Sequence, residues 1–100
     1  MDTTKALLVR IRAREGKEAE VEQFLNQGLQ LVEDEPQTAR WFALRFGTSE
    51  FGIFDAFPDD DGRQAHLNGK VAAALMGSVG ELIEQPEIEQ VDVLAELPPR

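Results

Sequence analysis

From residue 6 to residue 13 apolar and polar positions alternate: Leu7, Val9, Ile11 and Ala13 fall on one side, Leu8, Arg10 and Arg12 on the other. A two-residue period predicts a half-buried first strand. Glu15-Gly16 interrupts it, and from Lys17 the apolar residues recur at helical spacing, as Val21, Phe24, Leu25, Gly28, Leu31 and Val32. The first helix therefore runs to just before Pro36, which cannot continue it. Residues 38–46 alternate again, with Phe42, Leu44 and Phe46 opposite Trp41, Ala43 and Arg45. Gly47-Thr-Ser makes a short turn and residues 50–57 a third strand, so these two strands read as a hairpin.

After Pro58, the acidic residues Asp59, Asp60 and Asp61 suit the start of a short helix through Leu67, because negative charge is favoured at a helix N-terminus. Asn68-Gly69 predicts a break with a left-handed residue, and residues 70–76 resume an alanine-rich helix. Ser78 and Glu81 have the spacing of a capping box, which predicts a further helical turn to Glu84. Pro86 closes that segment. Residues 88–97 form the fourth strand, and Pro98-Pro99-Arg100 a frayed tail.

The predicted order, strand-helix-strand-strand-helix-strand, is the split βαβ arrangement of a ferredoxin-like α+β fold, with helices on one face of a four-stranded antiparallel sheet. A length of 100 residues allows one domain spanning residues 1–100. Leu7, Val9, Ile11, Phe42, Leu44, Phe46, Phe54, Val91 and Val93 are expected under the helices. Leu8, Trp41, Ile53, Phe57 and Leu94 are then expected on the uncovered face, with Arg10, Arg12, Arg45, Asp55 and Asp92. Leaving that much apolar surface in water is unfavourable by about 25 cal/mol per Å². A two-fold homodimer packed sheet to sheet removes the cost and encloses a cavity. Register is the weak point, since a slip of one residue exchanges the faces of a strand.

Composition narrows the partners. Ten basic and 19 acidic side chains give a formal charge of −9, which repels phosphate backbones and anionic lipid and speaks against nucleic acid and membrane. The absence of cysteine removes disulfides and thiolate chemistry. No apolar stretch approaches a membrane span and the N-terminal residues lack a signal-peptide core, so a cytoplasmic address is expected. The acidic trio lacks the ligand spacing of a calcium loop, and neither a phosphate loop nor a zinc pattern occurs, so no metal or cofactor is expected.

Four strings carry a resemblance across almost the whole chain: Arg40-Trp-Phe-Ala-Leu-Arg45, Phe51-Gly-Ile-Phe-Asp-Ala-Phe57, Gly62-Arg-Gln-Ala-His-Leu67 with Gly69-Lys-Val-Ala-Ala-Ala-Leu75, and Asp92-Val-Leu-Ala95. Through them the chain resembles the antibiotic biosynthesis monooxygenase-like family of dimeric α+β barrels, in particular its quinol monooxygenase subgroup. The resemblance implies a cofactor-free enzyme that oxidises a quinol or related aromatic with dioxygen. Members without a demonstrated activity leave open a dimer that binds or sequesters a small hydrophobic metabolite, or a stress-associated accessory protein. Haem-degrading relatives use an asparagine in the first strand and a tryptophan in the later helical region. This chain has neither there, which speaks against haem cleavage.

His66 matches a histidine common in the family's helical segment. It is the candidate catalytic residue, since only imidazole has an unperturbed pKa near neutrality; as structure, it anchors the short helix or the dimer seam. Trp41 and Phe54, with Phe51 and Phe57, form a candidate slot for a planar aromatic, or else serve as core and interface aromatics. Arg45 is a candidate to hold a ligand carboxylate or phenolate with Asp55 orienting it, or the two belong to ion pairs that fix register.

Overall fold

The computed structural model describes residues 2–100. Its elements run β1 (Lys5–Arg12), α1 (Glu18–Val32), β2 (Arg40–Arg45), β3 (Glu50–Phe57), α2 (Asp60–Leu67), α3 (Lys70–Gly77) and β4 (Glu87–Asp92). The four strands pair antiparallel in the order β2-β3-β1-β4, with the helices on one face, so the fold is ferredoxin-like α+β. Val21, Leu25, Gly28 and Val32 give α1 a buried stripe at intervals of three and four residues, and it packs on the sheet together with α3. The core joins Val9, Ile11, Phe51 and Ile53 of the sheet to Val21, Leu25 and Leu75 of the helices, closed by Ile83 from the loop before β4.

Asp59 caps α2, accepting from the Gly62 backbone N–H at 2.9 Å, with Asp60 and Asp61 in the first turn. Arg63 then ties α2 to the sheet: its guanidinium bonds Asp60 and donates to the carbonyls of Ala6 and Val91. Two local expectations fail. Residues 78–84 form turns and isolated bridges, because the Ser78 hydroxyl donates back to the Leu75 carbonyl instead of capping a new helix. Asn68 and Gly69 both keep negative φ, and the left-handed glycines are Gly16 and Gly80. β4 is also shorter than expected, ending at Asp92; the Val93 N–H still donates to the Thr4 carbonyl, and beyond it Glu96 accepts from the backbone and hydroxyl of Thr3.

The larger correction concerns the faces of β2 and β3. Trp41 pairs with Asp55, Ala43 with Ile53 and Arg45 with Phe51, and these residues share a face with Leu7, Val9 and Ile11 beneath the helices. Trp41, Ile53, Asp55 and Phe57 are thus under the helices, while Phe42, Leu44, Phe46 and Phe54 lie on the open face with Leu8 and Val91. Both faces of the hairpin carry large apolar groups, so alternation alone does not choose between them. Helix-side fit decides. Gly28 of α1 faces the Trp41 ring, two of whose carbons lie 3.4 Å from where a Cβ would stand, an ordinary packing distance. On the open face the Phe42 and Phe54 rings stack at 6.4 Å, and Phe46 folds over Gly52, where a Cβ would come within 2.7 Å of its ring.

Candidate functional site

Asp55 sits in the buried stretch of β3, and α2 brings His66 down onto it. Nε2 of His66 stands 2.8 Å from Oδ2 of Asp55, poorly aligned for a hydrogen bond. The other ring nitrogen, Nδ1, is 2.5 Å from Oε1 of Glu35, in the loop between α1 and β2. Thr38 donates to that same Glu35 oxygen at 2.9 Å, and the Phe57 ring flanks the imidazole at 5.4 Å. Three titratable groups from three elements therefore meet where little water reaches: side-chain exposure is 0% for Asp55, 6% for His66 and 18% for Glu35.

Burial pushes the Asp55 carboxyl above its ordinary value, against the opposing pull of the neighbouring imidazole. For His66, burial is the largest single influence and acts downward. The hydrogen bonding and charge of Asp55, and then of Glu35, together outweigh it, so the imidazole is held above its ordinary value. Asp55 and His66 thus both hold their protons more tightly than they would in water. His66 is the only histidine of the chain. Its ring resonances in an NMR titration should shift with a midpoint above the roughly 6.5 of a free imidazole; a midpoint at or below that value would rule out the two-carboxylate clamp.

On the same side of the sheet α1, α3 and the strands enclose a cleft of about 340 Å³ that reaches Trp41, the strand partner of Asp55. Its sheet floor is Trp41 and Ile53, with Phe24, Gly28 and Leu31 from α1 and Val71 from α3 as walls. The volume lies in the range of small-molecule sites, and the lining is mostly apolar.

Trp41, Asp55 and His66 are brought to one side of the sheet. Phe54 is not: its register turns it to the opposite face, stacked on Phe42, so it is separated from the cleft. Arg45 shares the helix side but pairs with Glu22 of α1 and lies over the Phe51 ring, away from His66. Arg10 and Arg12 are on the open face, the former over Phe46 and the latter between Glu50 and Glu84. Asp92, expected there too, bonds Lys5 on the helix side.

No protein-family model and no curated protein matches the chain. Among solved structures it is similar to the NE2512 protein of unknown function from Nitrosomonas europaea, at 50% identity over 98% of this chain and 96% of that one, with a TM-score of 0.94. The chain belongs to the family of that Nitrosomonas protein. More distant likenesses include a "putative antibiotic biosynthesis monooxygenase" from Caulobacter crescentus, 16% identical over 93% of this chain and 92% of that one, TM-score 0.78. A second of the same description from Nitrosomonas europaea is 14% identical over 91% and 99%, TM-score 0.78. At such identity these two share the fold and nothing finer.

Glu35 and Arg63 are the members of this region that sequence reasoning passes over. Arg63 stands inside a quoted motif, three residues from the histidine, with no feature marking it for burial. Glu35 precedes Pro36, in a stretch that reads only as the end of a helix; its partner lies 31 residues away and becomes visible only once β3 and α2 are placed. Among the described residues no helix is long and apolar enough to cross a membrane.

Proposed function

We propose that the chain binds a planar aromatic of the quinol class in the cleft between α1, α3 and the sheet, and oxidises it with dioxygen without a resident cofactor. The cleft carries this reading: an apolar slot floored by Trp41 and walled by Phe24, with an ionisable cluster at its side. The shared fold with the Caulobacter protein supports oxygenase chemistry. The reaction closes without an external reductant. One oxygen atom enters the ring and the other leaves as water, the quinol supplying all four electrons and emerging as a hydroxyquinone.

Both ring nitrogens of His66 are engaged by carboxylates, so in this reading the imidazole acts through Asp55, holding its charge and position. The same engagement favours a second reading, a dimer that binds the aromatic without turning it over. Oxygen uptake with a panel of naphthohydroquinones, corrected for protein-free autoxidation, separates the two. The oxygenase reading expects one dioxygen per quinol and one atom of labelled oxygen in the product. Thermal protection by the same compounds without uptake would replace it with the binding reading, since a ligand selective for the folded state raises stability by mass action.

Two copies complete the assembly, packed open face to open face. Phe42 and Phe46 are each 50% exposed, and Leu8, Leu44, Phe54 and Val91 make the patch continuous. Arg10 and Arg12 stand beside Glu50, Glu84 and Glu89, so the rim carries both signs and is complementary to a rotated copy of itself.

A further inference from the structure

Two neighbouring buried polar atoms on the helix side of the sheet have no partner: Nε1 of Trp41 and Oδ1 of Asp55. Their residues face each other directly in the β2–β3 register. In an antiparallel pair such side chains start about 4.5–5.5 Å apart at Cβ. Trp41 and Ile53 floor the cleft, and Asp55 is the next residue after Ile53 on the same face of β3. Idle polar groups in a dry interior are costly, and most native structures satisfy them.

We propose that Trp41 and Asp55 form a hydroxyl-recognising subsite at the inner end of the cleft, which takes the phenolic group of an aromatic ligand. The inference rests on the ligand cleft described above and adds which chemical group is read and by which atoms. An indole nitrogen only donates and an ionised carboxylate only accepts. A ligand group that serves both must accept and donate at one atom, and a hydroxyl does so. A ketone oxygen leaves Asp55 unserved and faces its charge, an ammonium leaves Trp41 unserved, and an aryl methyl ether lacks the proton. His66 contacts Asp55 at Oδ2, which leaves Oδ1 for the ligand, while Glu35 and Thr38 fix the imidazole from behind.

Calorimetric titration of the intact protein with 1-naphthol, 1-methoxynaphthalene and naphthalene tests the subsite. The wild-type chain should bind 1-naphthol at least about tenfold more tightly than the methyl ether, the factor expected when a hydrogen bond to a charged group is lost. Trp41→Phe and Asp55→Asn should each bring that ratio near one, the ratio being read within each variant so that any change in naphthalene binding cancels. Equal binding of naphthol and ether by the wild type overturns the subsite and leaves the cleft standing, as would a direct Trp41–Asp55 hydrogen bond that closes both valences. A preference that survives in both variants also overturns it. If none of the three compounds binds, the cleft reading falls as well. The wild-type ratio needs no variant, so a misfolded substitution cannot shelter the proposal.

Discussion

Replacing His66 by leucine lowers the free energy of unfolding by about 3–5 kcal/mol at neutral pH, the range for removing one partner of a buried ion pair. The substitution retains apolar volume under α2, so cavity formation contributes little. What is lost is the imidazole that stands between Asp55 and Glu35, and their two carboxyl groups are left facing one another in a poorly hydrated space. Denaturant titration at several pH values checks the cause as well as the size.

His66 is raised in the folded chain, so its contribution is fully present below the unfolded value near 6.5 and is lost as pH rises through the folded one. Asp55 is raised too, so holding it as a carboxylate costs stability progressively above its unfolded value of about 3.9. Acidification from neutrality should therefore restore much of the leucine variant's loss, as Asp55 takes a proton. Adding Asp55→Asn to His66→Leu should restore part of it at neutral pH. A loss below about 1 kcal/mol, the level of an exposed ion pair, would mean that the cluster is solvated.

Substituting Phe42 by glutamate weakens self-association at least about 30-fold, the equivalent of about 2 kcal/mol and the usual threshold for an interface hot spot. Phe42 is half exposed on the edge strand β2, its ring stacked on Phe54 of β3 on the open face. In the proposed two-fold contact each residue occurs twice, so the substitution would bury two carboxylates in each pair of chains. Sedimentation over a range of concentrations reads the result. Circular dichroism should remain that of the wild type, because the residue faces away from the core. A wild-type chain that sediments as a monomer at micromolar concentration, or an unchanged dimer in the variant, would refute sheet-to-sheet packing.

The element order was legible because each element carries its own period: Leu7, Val9 and Ile11 in β1, then Val21, Leu25 and Val32 in α1, are periodic without reference to anything else. The assignment of faces in the hairpin was not. Phe42 and Trp41 are equally plausible occupants of a core, and what separates them is packing against α1 and a histidine on α2, both distant in sequence. Asp55 shows the same effect more sharply. In isolation a carboxylate belongs on the wet side of a sheet, and only the arrival of His66 makes its burial tolerable. Residues 78–84 misled for a different reason: serine's hydroxyl serves equally to cap a helix that follows or to bond back into the one that has just ended.

Trp41 is the only tryptophan, and the chain has no tyrosine. Its ring lies against Gly28 on the floor of the cleft. The near-ultraviolet emission of this molecule therefore originates from one place, the place a guest would occupy. Occupancy can be followed by intrinsic fluorescence with no dye attached, and because the aromatic residues on the opposite side of the sheet are phenylalanines, pairing of subunits there should leave that signal largely silent.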